Sequence, residues 1–305
     1  MHKSKLSYQK VKKIYLKFLK SQEVLSEPFR DKISQLNNFY LPISDMIHKT
    51  YLKNKKTKVI GLTGGQGSGK STISNILKII LKENFNLETV IFSIDDFYKT
   101  FKERERMSKK ISSLFLTRGV PGTHDTKMLL ACIQKLKSLN FTKIKLPKFD
   151  KAIDDRTSKK NWIKVNKKPN IIIFEGWCIG AEPQKKKDLL IPINRLEKYY
   201  DKKIIWRNKV NQELNTNYKK IFKLIDKIIF LKVPSFKYVF KWRLLQEKKL
   251  RIISKGKKTM SDNEIKKFVM FYERLTKHMF KTLASKADTV INIDTQHKLK
   301  SIKFN

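Results

Sequence analysis

Short apolar runs alternating with helix-period segments predict a three-layer α/β/α fold, with a mostly parallel central sheet covered by helices on both faces. Two further observations support this. A glycine-rich turn joins the first apolar run to a helical stretch, and two later runs close on acidic residues. In such sheets ligands bind beyond the carboxyl ends of the strands, which is where these residues fall. Ahead of this block, residues 5–50 carry a helical period. The expected organisation is an N-terminal helical extension over residues 1–54 and a main domain over 55–305.

In the extension, Val11, Tyr15, Phe18 and Leu19 recur at helical spacing, as do Ile33, Leu36 and Tyr40. Ser26-Glu27-Pro28 separates them into two helices, with Pro28 suited to a first helical turn. A basic amphipathic helix can lie on a membrane surface. Packing of both helices on the main domain is the simpler reading and the one expected. Strands follow over 59–63 and 89–94, with a helix over 71–82 between them. Next come a helix over 125–139 and strands over 143–146 and 170–174, the latter closing on Glu175-Gly176. A strand over 227–233, helical segments to Leu283 and a last strand over 289–293 complete the expected order.

At 40% hydrophobic residues the chain has enough apolar material for a real core, and no apolar run approaches the roughly 20 residues of a membrane span. The start lacks the apolar segment of a secretory signal, and the arginine and serine richness of a transit peptide. Cys132 and Cys178 stand alone, which excludes a disulfide framework and a zinc knuckle and fits a cytoplasmic protein. A formal charge of +42 invites a nucleic-acid reading. The excess is nearly all lysine, spread over every segment among Ile and Asn residues that share A/T-rich codons. No specific nucleic-acid partner is therefore expected, though anionic small molecules are attracted in general.

Gly64-Gly65-Gln66-Gly67-Ser68-Gly69-Lys70-Ser71 fits G-x-x-x-x-G-K-[ST] without deviation, and Thr72 follows it. Glycines let backbone N–H groups turn inward around a phosphate, and the next helix presents its positive end. Lys70 is placed to bridge the β- and γ-phosphates of ATP, and the Ser71 hydroxyl to ligate Mg²⁺. The expected fold is thus that of a P-loop NTPase. The motif does not separate kinases from ATPases and GTPases, although the N-K-x-D guanine motif is absent.

Acceptor chemistry decides between them. Ser93-Ile94-Asp95-Asp96-Phe97-Tyr98 places two carboxylates at a strand end, where one can accept a substrate hydroxyl proton. Ile171-Ile172-Ile173-Phe174-Glu175 has the shape of a Walker B strand, with Glu175 near Mg²⁺. The loop from Arg118 to Asp125 offers a cation, His124 and a carboxylate, and Asp125 either caps the next helix or touches a ligand. Lys145 to Lys151, with Lys148 central, ends near Arg156 and supplies cations for a small anionic acceptor. Arg243 and Arg251 lie on a helix that can close over the phosphates, while Tyr238, Phe240 and Trp242 read as packing.

With these blocks in order, the chain resembles the D-glycerate 3-kinase family, related to uridine kinase, phosphoribulokinase and bacterial pantothenate kinase. GLTGGQGSGKST, SIDDFY, RGVPGTHD, KLPKFDK, FEGWCIG, VFKWRLLQE and MSDNEI carry the resemblance over residues 59–294. It implies ATP, Mg²⁺ and transfer to a hydroxyl of glycerate, giving 3-phosphoglycerate and ADP. By similarity Asp95 rather than Asp96 matches the base, Tyr98, Arg118 and His124 match acceptor positions, and Arg243 resembles a lid arginine. Two segments depart from the pattern: the basic stretch 100–115, and 202–217, which looks like a lysine/asparagine-rich insertion. The alternatives are a nucleoside or pantothenate kinase, and, from another class, an ATP-binding regulatory module that is not a kinase.

Overall fold

The computed structural model describes residues 2–23, 29–253 and 260–305. Pro28 and the rest of the expected break therefore lie outside the described residues. In chain order the helices are α1 (His2–Gln22), α2 (Lys32–Gln35), α3 (Leu41–Leu52), α4 (Lys70–Phe85), α5 (Phe101–Lys110) and α6 (Thr126–Lys137). They continue as α7 (Lys186–Leu190), α8 (Arg195–Tyr200), α9 (Ile205–Glu213), α10 (Lys219–Phe222), α11 (Phe236–Ile253) and α12 (Asp262–Lys286). The strands are β1 (Lys58–Gly64), β2 (Thr89–Ser93), β3 (Ile144–Leu146), β4 (Phe149–Asp150) and β5 (Asp155–Arg156). After them come β6 (Ile163–Val165), β7 (Ile171–Gly176), β8 (Lys227–Lys232), β9 (Thr289–Ile293) and β10 (Leu299–Phe304).

The main sheet runs β10-β9-β8-β1-β7-β2, with β1, β2, β7, β8 and β9 parallel and β10 antiparallel on the edge. Its period-2 alternation feeds two cores. Ile171 and Ile173 face one core while Ile172 and Phe174 face the other, and all four are fully buried. The first core holds Ile73, Ile76, Leu77 and Ile80 of α4 together with Val11, Tyr15 and Leu19 of α1 and Ile43 and Ile47 of α3. The N-terminal helices therefore complete one helical layer of the sheet, as expected from their apolar stripes. The opposite layer brings Phe92, Phe174 and Phe230 against Leu129, Ile133, Met279 and Leu283. Among the described residues no helix is long and apolar enough to cross a membrane.

Three elements differ from expectation. The run 143–146 forms β3 but pairs only with β6, outside the main sheet. Its short length and mixed burial leave it unable to serve as a central strand. Strand β10 was not anticipated because its residues are mostly exposed. Segment 202–217, read as an insertion, is helix α9 followed by a π-turn at Leu214–Tyr218. Trp206, Leu214 and Tyr218 are buried there, and the π-turn's extra residue disrupts the 3.6 period by which a helix is read.

Tyr15 tests whether α1 belongs to this core. Its ring is 1% exposed and its hydroxyl donates to Lys32 O at 2.9 Å. Replacing a buried aromatic side chain by alanine costs on the order of 3 kcal/mol. Tyr15→Ala should lower unfolding free energy by about that amount in urea titration, whereas a detached extension would leave the midpoint unchanged.

Candidate active site

Parallel pairing sets the geometry of the site. Glu175 lies opposite Leu62 on one side and Ser93 on the other, so β1, β7 and β2 end level. The turns that follow them open into one crevice.

The glycine loop follows β1. Gly67 has φ 76°, and an added Cβ would sit 2.8 Å from the Trp242 Cβ, so both backbone conformation and space demand glycine there. Lys70 donates to the carbonyls of Gly64 and Gly65 at 2.9 Å each, folding its ammonium across the loop it follows. Burial lowers its pKa, while the charges of Glu175 and Asp95 oppose that shift. Glu175 accepts from the Ser71 hydroxyl at 2.8 Å and from the Ser74 hydroxyl at 3.0 Å. Glu175 thereby fixes the expected metal-binding hydroxyl; the Ser74 contact was not anticipated.

Beyond β2 the chain makes a 3-10 turn, Ile94–Phe97, closed by a capping box. Ser93 Oγ accepts from Asp95 N at 3.2 Å and Asp96 accepts from Ser93 N at 3.2 Å. Asp96 is thus a structural cap, further tied to Lys148 at 3.0 Å, whereas Asp95 points to other partners. Its Oδ1 accepts from the Tyr98 hydroxyl at 2.9 Å and its Oδ2 from Lys151 at 2.8 Å. Burial acts to raise the Asp95 pKa, but the Lys151 ammonium outweighs it, and the carboxyl is held well below its ordinary range.

Behind this pair stands a buried aromatic stack. Tyr98 lies on His124 with ring centroids 4.5 Å apart, and His124 Nδ1 is 2.5 Å from the Tyr218 hydroxyl. That hydroxyl also accepts from Gly122 N at 3.0 Å, and His124 Nε2 is buried without a hydrogen-bond partner among the described residues. Burial depresses the His124 pKa to about 3. Tyr218 directly follows the segment 202–217 read as an insertion, and no motif marked it.

The expected acceptor cations are nearby, yet each already has a partner. Arg118 pairs with Asp154, which also pairs with the fully buried Arg104 at 3.0 Å. Arg156 donates to Tyr98 O at 2.9 Å and reaches Asp125 at 3.5 Å. Asp125 caps α6 by accepting from Met128 N at 3.0 Å. Arg118 and Arg156 therefore hold the β4–β5 hairpin over the crevice. Arg104 and Lys151 lie in segments the sequence flagged only as basic or as a family block, without individual roles, and Asp154 lies in none of them. Arg243 pairs with Glu247 at 2.6 Å and Arg251 with Asp262 at 3.2 Å, so both arginines are engaged on the α11–α12 side.

A glycine loop with its lysine, a serine held by a strand-end acid and a second carboxylate across the crevice define a P-loop phosphotransferase. A family model for the Phosphoribulokinase / Uridine kinase family matches residues 59–191. The chain is 34% identical to the uncharacterized kinase mug58 of Schizosaccharomyces pombe, over 75% of this chain and 85% of that one. It is 30% identical to the chloroplastic D-glycerate 3-kinase of Arabidopsis thaliana over 89% of this chain, and spans 62% of that protein's length. The solved D-glycerate 3-kinase of Cryptococcus neoformans shares the fold, with a TM-score of 0.75 over 87% of this chain and 99% of that one at 22% identity. The chain belongs to the same family of P-loop kinases as mug58 and is an ATP-dependent kinase.

His124 supplies a direct check on the buried stack. A histidine depressed to about 3 stays neutral from about pH 5 to 8, whereas in the unfolded chain it protonates near 6.5. The unfolded state then binds the extra proton, so this group makes stability fall as pH drops from 6.5 toward 3. NMR of the His124 ring should show no titration between about pH 5 and 8. A midpoint near 6.5 would contradict the buried, neutral assignment.

Proposed function

We propose that the acceptor is D-glycerate and that the γ-phosphoryl group of ATP is transferred to its 3-hydroxyl, giving 3-phosphoglycerate and ADP. The observation that carries this reading is Asp95: an ionised carboxylate across the crevice from the phosphate loop, with Lys151 on it and Lys148, Arg118 and Arg156 around it. Such a site suits a small acceptor that bears both a hydroxyl and an anion. One sequence relative and one solved structure of the same fold carry D-glycerate 3-kinase in their names, which supports the same choice.

Phosphoryl transfer asks mainly for alignment and charge stabilisation. The acceptor hydroxyl donates to Asp95, its oxygen forms the new bond to the γ-phosphorus, and its proton passes to the carboxylate. The bond from that phosphorus to the bridging oxygen breaks, and ADP leaves with the electron pair. A strongly basic carboxylate is not required, because in a loose transition state the proton transfers late. Lys70 turns from the loop carbonyls to the β- and γ-phosphate oxygens.

The donor set fits Mg²⁺, a hard cation that takes oxygen ligands and relies on substrate phosphates for the rest. Ser71 and Glu175 would hold it, and among the described residues no group of three or more His, Cys, Asp or Glu side chains forms a cage of another kind. When bound, the ion supplies charge neutralisation between the β- and γ-phosphates.

ADP release with ATP and Mg²⁺ tests the acceptor across D-glycerate, L-glycerate, uridine, pantothenate and no addition. D-glycerate alone should stimulate turnover well above the blank. Stimulation by uridine or pantothenate instead, or by no acceptor, would overturn the assignment.

A further inference from the structure

The cations around the crevice differ in what they are paired with. Lys148 sits on Asp96, a helix cap; Arg118 and Arg104 share Asp154; Arg156 reaches Asp125, another cap. Each of those carboxylates has a structural task. Lys151 is paired with Asp95, the carboxylate whose oxygen the acceptor hydroxyl has to reach.

Each Asp95 oxygen already accepts one hydrogen bond, so an acceptor hydroxyl comes in beside one of these donors or takes its place. Tyr98 is 2% exposed, stacked on His124 and packed edge-on by Phe149 with centroids 5.1 Å apart. Its hydroxyl has no room to leave. Lys151 has a side chain 62% exposed, on a flexible four-carbon stem. Its backbone is fixed: Arg118 reaches the Lys151 carbonyl at 3.5 Å, and the turn is pinned at Asp154, which is left-handed at φ 55° and bound by both arginines. The turn therefore stays in place while the ammonium can pivot.

We propose that Lys151 is a specificity-determining residue: its ammonium passes from Asp95 Oδ2 to an anion on the acceptor and leaves that oxygen clear for the acceptor hydroxyl. This rests on the reading of Asp95 as base and glycerate as acceptor. Glycerate carries a carboxylate within a small-molecule's length of its 3-hydroxyl, so Lys151 exchanges one carboxylate for another. Glycerol offers the same primary hydroxyl and no charge, so the exposed ammonium could exchange the Asp95 carboxylate only for water. Discrimination arises from the attraction that the neutral acceptor lacks.

The test compares kcat/KM for D-glycerate and for glycerol in the wild type, Lys151→Met and Lys151→Arg, with ADP binding as a control for the nucleotide site. Lys151→Met should lower kcat/KM for D-glycerate at least about ten-fold, chiefly through KM, and leave glycerol unchanged or improved. The ratio between the two acceptors then collapses, and Lys151→Arg restores most of it. An unchanged ratio in Lys151→Met overturns the inference. Should that variant fail to bind ADP, the wild type decides through competition: D-lactate, with the carboxylate and no 3-hydroxyl, should inhibit, while propane-1,2-diol should not. Equal inhibition by the two overturns the proposal. A wild type that D-glycerate does not stimulate refutes the acceptor reading; stimulation with an unmoved ratio refutes only the role of Lys151.

Discussion

The level ends of β1, β7 and β2 are the constraint on which the site depends. Parallel pairing sets Leu62, Glu175 and Ser93 in one row, so the phosphate loop, the Walker B acid and the turn bearing Asp95 all leave the sheet at the same height. Because side chains alternate, a slip of one residue in β7 would turn Glu175 away from Ser71 and send Phe174 into the wrong core. Gly176 shows how tight the row is: a Cβ there would lie 2.5 Å from Ile94 Cγ2. Hydrophobic burial on both faces enforces this register, so the packing that stabilises the sheet also sets the geometry of the chemistry.

Charge acts at two scales. Over the whole surface the excess of lysine is diffuse and attracts anions in general. Inside, arginines share buried or half-buried carboxylates: Arg104 and Arg118 on Asp154, Arg207 and Arg274 on Glu197. Breaking a buried pair of this kind from one side costs about 3–5 kcal/mol, so these arginines are structural fixtures. They brace the elements that carry the acceptor loop. Tyr272 of α12 donates to Arg118 O at 3.2 Å, and Trp177 donates to Gly119 O at 3.0 Å, joining that loop to α12 and to the end of β7.

Features fixed by local chemistry could be read from the sequence. The glycine loop announces itself because few residues tolerate its backbone, and Glu175 because four apolar residues lead into it. Asp95 could be told from Asp96 only through a resemblance; the structure gives the physical reason, a capping box that consumes Asp96. Lys151 was hidden among many lysines, since its distinction is its partner rather than its type. Tyr218 lay in a stretch whose π-turn disguises a buried helix face. Arg118 and Arg156 were read as acceptor ligands, and their carboxylate partners, distant in sequence, show them holding a hairpin as well. Long-range pairing decided Lys151, Arg118 and Arg156, and a single sequence carries little trace of it.

The central claim is that Asp95 serves the chemistry without holding the nucleotide, and Asp95→Asn separates the two most directly. The substitution keeps shape and one hydrogen-bond acceptor while removing the carboxylate that takes the proton. Steady-state turnover with D-glycerate should fall by roughly 10²–10⁴, while ATP binding measured by calorimetry stays within a few-fold of the wild type. Turnover close to wild type would contradict the account, because the carboxylate on which every inference about the acceptor is built would then have no part in the reaction.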